Sequence, residues 1–241
     1  MTNTNALAGS TMIEINSLNK SYNTQRVLKD LALNIGENEF CILVGANGAG
    51  KTTLLRILAT LVRPESGEVL LKGEPLLNDP RLRQKIGYVS HQSLFYGDLN
   101  ASENLRHYAH LYSLPNPEAL IRECIERAGL TPHQNKPLRT YSRGMQQRLA
   151  LERALMHSPD LILLDEPYTG LDHDAANDLD ERLHNLHSSG CTLLVVAHRP
   201  QRLLKLATHI AWLREGRITD KVSTDRLSDI PDLNSYLQEV K

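Results

Sequence analysis

The chain has 241 residues, with 27 Lys and Arg against 28 Asp and Glu, so its net charge is -1. Hydrophobic residues are 41% and charged residues 23%, ordinary for a globular domain, which excludes wholesale disorder. Even charge argues against a protein built chiefly to hold nucleic acid by its phosphates, and no apolar run approaches the roughly 18 residues that span a bilayer.

The first ten residues are polar and lack a basic start with an apolar stretch behind it, so they are predicted as a disordered leader rather than a secretory signal. Apolar alternation at Ile13, Ile15 and Leu18 predicts strands over 12–27, followed by a further strand over 28–35. Gly36 to Glu39 is a predicted turn, and Phe40 to Val44 a short buried strand ended by glycine. A buried helix follows Lys51, carried by Leu54, Leu55, Ile57, Leu58, Leu61 and Val62, until Pro64 stops it. Small strands are predicted at 69–71 and 86–89. The pattern then turns helical over 101–130, with a break near Pro115 and Pro117, and another helix is predicted over 145–157. Strand 161–164, helix 175–189, strand 192–197 and helix 201–206 resume the alternation. A parallel-sheet core split by a helical insertion over about 93–158 is the predicted architecture, one domain spanning 11–230. Cys41, Cys124 and Cys191 are far apart and odd in number, so they are expected to be buried reduced thiols.

Gly45-Ala-Asn-Gly-Ala-Gly-Lys51-Thr52 fits the G-x-x-x-x-G-K-[ST] phosphate loop residue for residue. Glycines let successive backbone N–H groups turn toward phosphate oxygens, and the helix behind offers its positive end. Gly45, Asn47, Gly48, Ala49, Gly50, Lys51, Thr52 and Thr53 are the expected nucleotide contacts, with Lys51 on the β- and γ-phosphates and the Thr52 hydroxyl on Mg²⁺. The bland alternative is a glycine turn beside an incidental lysine. Farther on, an apolar strand ends in Asp165 and Glu166. Two acids in such a place are commonly a solvated strand end. Behind a phosphate loop, Asp165 instead suits Mg²⁺ and Glu166 suits a general base aimed at water.

Tyr141-Ser-Arg-Gly-Met-Gln-Gln-Arg148 resembles the Leu-Ser-Gly-Gly-Gln signature of the ATP-binding cassette (ABC) family. The chain is similar to that family over residues 12–220, which implies a P-loop NTPase core of ABC ATPase type, α/β in class, with an N-terminal antiparallel β-subdomain and an inserted helical subdomain. The resemblance puts Gln92 at the Q-loop as a Mg²⁺ and subunit contact, Asp172 in the D-loop and His198 at the catalytic switch. It puts Tyr22 against adenine, favoured over an ordinary half-buried tyrosine, while the alternative for Gln92 is a surface glutamine. Ser142, Arg143, Gly144 and Gln146 would face ATP held by an opposite subunit. Tyr141, Arg143 and Met145 depart from the signature, and Arg143 could add charge near the γ-phosphate or point to solvent.

The resemblance implies ATP and Mg as cofactors, integral membrane subunits as partners, a second copy or homologous ATPase, and a peripheral place on the cytoplasmic face of the inner membrane. Members acting on DNA need a long coiled coil between the nucleotide motifs, but only 50 residues separate Gln92 from Ser142, and no nucleic-acid partner is expected. Within transporters, residues 90–105, 141–148 and 165–172 look like the haem-exporter ATPases of cytochrome c biogenesis, the CcmA family. Polysaccharide, drug or lipid exporters with two kinds of subunit are the alternative. The apolar stretch 93–112, with Leu94, Phe95, Tyr96, Leu99, Leu105 and Tyr108, is expected either to meet membrane subunits or to pack the insertion on the core.

Overall fold

The computed structural model describes residues 10–91, 94–197 and 200–229. The predicted leader lies outside them except for Ser10, whose carbonyl accepts from the Glu37 N–H at 2.8 Å. β1 (Thr11–Tyr22) and β2 (Gln25–Gly36) form an antiparallel hairpin whose two-residue turn holds Asn23 at φ 53°. Ile13 and Ile15 on one strand and Leu31, Leu33 and Ile35 on the other are buried, as period-two alternation requires. β3 (Phe40–Val44) leads into the phosphate loop and α1 (Lys51–Leu58). This helix is shorter than predicted. Thr60 turns left-handed at φ 59° and the Leu61 N–H bonds back to the Arg56 carbonyl, so Leu61, expected in the buried stripe, is 60% exposed.

β4 (Ser66–Leu71) and β5 (Glu74–Pro75) complete a four-stranded antiparallel sheet in the order β2-β1-β4-β5. After β6 (Ile86–Val89) come α2 (Ala101–Leu111), α3 (Glu118–Arg127) and α4 (Arg143–Leu155). Asn100 and Glu103 start α2 with a reciprocal capping box. β7 (Leu161–Asp165), α5 (His173–Ser188) and β8 (Thr192–Val196) follow. The helix expected over 201–206 is a 3₁₀ segment, Pro200–Lys205, and the chain ends its described part with a hairpin, β9 (His209–Arg214) and β10 (Arg217–Ser223).

The second sheet runs β10-β9-β3-β8-β7-β6, parallel except for the edge strand β10. Every residue of β3, β7 and β8 is buried, the near-continuous apolar run of strands covered on both faces. One apolar cluster joins Leu43, Leu163 and Leu194 to α1 and the antiparallel sheet. A second sets Ile42, Ile162, Leu193 and Trp212 against Ala150 of α4 and Leu179 of α5. A third, with Leu105, Ile121, Ile125 and Leu149, fills the space among α2, α3 and α4. The three cysteines are buried and free, and burial raises their thiols, Cys124 to about 11 and Cys191 to about 12. Among the described residues no helix is long and apolar enough to cross a membrane.

Candidate nucleotide site

The phosphate loop stands at the carboxyl end of β3, between sheet and helix, where parallel α/β sheets form their ligand crevices. Two of its glycines are dictated by space. A Cβ on Gly45 would lie 2.3 Å from the Leu213 carbonyl oxygen. Gly50 sits at φ 110°, and a Cβ there would meet Leu28 Cδ2 at 2.7 Å. Asn47 and Gly48 are exposed at the tip, whereas Ala49 is buried behind it. The Lys51 ammonium is folded back over the loop, donating to the carbonyls of Gly45 at 2.6 Å and Ala46 at 2.9 Å. Two of its three protons are thereby directed and one remains for an anion. Burial pushes the Lys51 pKa down, and the charges of Glu166 and Asp165 oppose that shift.

The loop and the acid-bearing strand meet through Thr52, whose Oγ1 donates to Asp165 Oδ1 at 3.2 Å. Thr53 follows on the half-buried side of α1. Asp165 is 1% exposed; burial raises its pKa, Glu166 adds to the rise, and Thr52 and His91 pull against it. Its Oδ2 is buried without a hydrogen-bond partner, and His91 Nδ1 stands 3.7 Å from it. A buried carboxylate oxygen without a donor, beside a threonine hydroxyl, fits a divalent cation. No group of three or more His, Cys, Asp or Glu that could hold a metal occurs among the described residues. Mg²⁺ held by one carboxylate, a hydroxyl and phosphate oxygens needs no such cage.

Glu166 adopts φ 53°, a left-handed conformation costing a non-glycine residue about 1–2 kcal/mol, while its N–H bonds the Val196 carbonyl at 3.1 Å. This turn aims the carboxylate off the strand end. A cleft of about 290 Å³ lies there, lined by residues 166–170 with Val196 and Ala197. His198, expected just beyond, and Gln92 lie outside the described residues. Tyr22 ends β1 opposite Gln25, the residue 44% exposed and Lys20 Nζ 5.3 Å from the ring centroid. The same hairpin approaches the phosphate loop, since a Cβ on Gly50 would lie 3.1 Å from the Val27 carbonyl.

In the signature segment, Ser142 caps α4, its Oγ accepting from the Met145 N–H at 3.2 Å. Gly144 abuts α5, 3.3 Å separating its would-be Cβ from that of Ala175, and Asp172 caps that helix by accepting from the Ala175 N–H. Two of the departures serve packing. Tyr141 is buried with its hydroxyl on the His133 carbonyl, and Met145 packs against the helical cluster. Gln146 turns inward, its amide donating to the carbonyls of Leu138 and Tyr141, rather than outward to a ligand. Arg143 does not simply point to solvent: its guanidinium donates to the carbonyls of Thr169 at 2.6 Å and His91 at 3.1 Å of its own chain.

Over residues 94–112 the expected apolar side chains differ in burial. Leu94, Tyr96 and Leu99 are exposed, whereas Leu105 is fully buried and Phe95 packs on two clusters. Sequence reasoning missed what holds this stretch. Buried Arg153 donates to the Tyr88 carbonyl at 2.6 Å and lies over the rings of Tyr108 and Phe95. His91 beside Asp165 was missed as well; no spacing within one sequence signals it.

The sequence pattern of the ABC transporter family matches residues 28–169. The chain is 33% identical over 220 residues to a bacitracin transport ATP-binding protein of Bacillus licheniformis, covering 90% of this chain and 72% of that one. It is 31% identical over 222 residues to a lantibiotic transport ATP-binding protein of Streptococcus pyogenes, covering 92% and 95%. A dimeric ATP-binding cassette solved in a post-hydrolysis state with ADP and Pi superposes with TM-score 0.81 at 28% identity, covering 88% of this chain and 99% of that one. With the phosphate loop, the Asp165–Thr52 contact and the capped signature helix already in place, the chain belongs to the ABC transporter family as an ATP-binding, ATP-hydrolysing subunit.

Proposed function

We propose that this chain is the ATPase of an exporter whose membrane-spanning subunits are separate chains, working at the cytoplasmic face of the membrane. The observation that carries its ATPase part is the meeting of Thr52 and Asp165 with Glu166 at the next position. In the proposed cycle the loop amides and Lys51 hold the β- and γ-phosphates, Tyr22 stacks on adenine, and Asp165, Thr52 and Gln92 hold Mg²⁺. The metal screens phosphate charge when bound. Glu166 orients and deprotonates water, and His198 donates to the γ-phosphate as the site closes.

Two copies are proposed to close face to face, so that Ser142 and Gly144 of one chain, at the positive end of α4, complete the site of the other. The exposed side chains Leu94, Tyr96 and Leu99 are proposed to meet the membrane subunits. Export is supported by the relatives, one of them a Nod factor export ATP-binding protein of Cupriavidus pinatubonensis, 34% identical over 224 residues, covering 92% of this chain and 68% of that protein. Haem as cargo rests only on the stretches 90–105, 141–148 and 165–172.

Deleting the gene and complementing it with wild-type or Glu166→Gln copies tests both levels. The exporter reading expects the wild-type protein in the membrane fraction with a span-bearing partner, and a purely soluble chain contradicts it. The haem reading expects loss of holo-cytochrome c in the deletion and Glu166→Gln strains, with apo-cytochrome still made and exported. Normal haem-stained cytochrome c rejects haem and leaves the exporter reading in place.

A further inference from the structure

Arg143 occupies a place where the family signature has glycine, at the first residue of α4, and its side chain is built into its own chain. Nε donates to the Thr169 carbonyl at 2.6 Å and Nη2 to the His91 carbonyl at 3.1 Å. Both residues border the acid pair. Thr169 closes a turn on Glu166, its N–H bonding the Glu166 carbonyl at 3.1 Å and its hydroxyl reaching Glu166 Oε2 at 3.4 Å. His91 Nδ1 stands 3.7 Å from Asp165 Oδ2. One guanidinium therefore links the segment after β6 to the segment after β7, each by the backbone of a residue whose side chain faces a catalytic-site carboxylate. The path of the side chain is itself accommodated. A Cβ on Gly170 would lie 2.5 Å from Arg143 Cδ and 2.8 Å from Nε, so a side chain there would force the arginine off this path. Gly170 also sits at φ 77°, in the left-handed region. A planar group with donors fixed on separate nitrogens suits two carbonyls on separate segments, a span that the one nitrogen of a lysine does not reproduce.

We propose that Arg143 is a positioning residue for hydrolysis that acts within its own chain, fixing the backbones around Asp165 and Glu166. This rests on the two-chain ATPase reading above. Since the signature would face the partner's nucleotide, a role in the chain's own site and a role in the partner's site can be separated in mixed dimers.

Dimers purified through two different tags would each contain a single intact Glu166, the partner chain carrying Glu166→Gln. In the first dimer Arg143→Ala lies on the chain with intact Glu166; in the second it lies on the Glu166→Gln chain. The proposal expects the first to turn over ATP about 10-fold more slowly than the second, in kcat and not in KM, as for a misplaced catalytic group. Arg143→Lys in the first dimer should recover part of the rate, its one ammonium nitrogen reaching one of the two segments. Equal rates, the reverse order, or a difference confined to KM would overturn it; the reverse order would assign Arg143 to the partner's γ-phosphate instead. A reference dimer with both Arg143 residues intact guards the premise. If that dimer has no turnover while the wild-type protein hydrolyses ATP, the independent action of the two sites fails, and the Arg143 proposal with it.

Discussion

Lys51 and Asp165 show how far single residues carry the chemistry. Lys51 is buried and pointed by two carbonyls, so removing it takes away a charged donor and leaves the loop without its cation. Lys51→Ala should weaken ATP binding by about 2–4 kcal/mol, read by calorimetry, and affinity like that of the wild type would refute the phosphate-loop assignment. Asp165→Asn keeps the shape but deletes the charge facing Thr52. Hydrolysis should fall about 10²-fold or more at low Mg²⁺, and chelation with EDTA should stop the wild-type reaction. The types and spacing of these residues were legible in the sequence, because the phosphate loop and the acids after a buried strand are local patterns. The left-handed Glu166, the His91 neighbour and the inward turn of Gln146 were not, since each depends on backbone brought from elsewhere.

At the scale of elements, α4 is held to its neighbours by charge as well as by apolar contact. Glu152, its side chain 3% exposed, accepts from Arg127 of α3 at 2.8 Å and from Arg182 of α5 at 2.5 Å, while those arginines remain 38% and 33% exposed. Glu152→Ala leaves two guanidiniums that water can still reach, so the loss should be about 2 kcal/mol, below that of a fully buried pair. A fall in Tm of roughly 4–8 °C would register it. Glu152→Gln, which keeps the volume and one acceptor, should lose less than the alanine variant. Element types were largely readable from periodicity, yet boundaries gave way where geometry intervened. The reversal at Thr60 ended α1 before Leu61, and the run beginning at Pro200 was too short to become an α-helix. The β9–β10 hairpin went unpredicted although an apolar run, Ile210 to Leu213, precedes the Glu215-Gly216 turn. Its importance appears only in three dimensions, where β9 pairs with β3 and the Leu213 carbonyl confines Gly45.

For the whole molecule, the parallel sheet is the frame that sets loop, acids and signature helix at one end. Leu194 on β8 is fully buried in the cluster joining the two sheets, and Leu194→Ala should cost about 3 kcal/mol by the cavity it leaves. Denaturant unfolding would show this as a lower midpoint, with ATP affinity at native conditions little changed. The central claim is that two copies close around MgATP and that Glu166 drives the hydrolysis that reopens them. Light scattering on the Glu166→Gln protein, with and without MgATP, tests it most directly. A stable dimer retaining ATP, with hydrolysis reduced by about 10²–10⁴, is the predicted result. A protein that stays monomeric at saturating MgATP and hydrolyses it at the wild-type rate would contradict it.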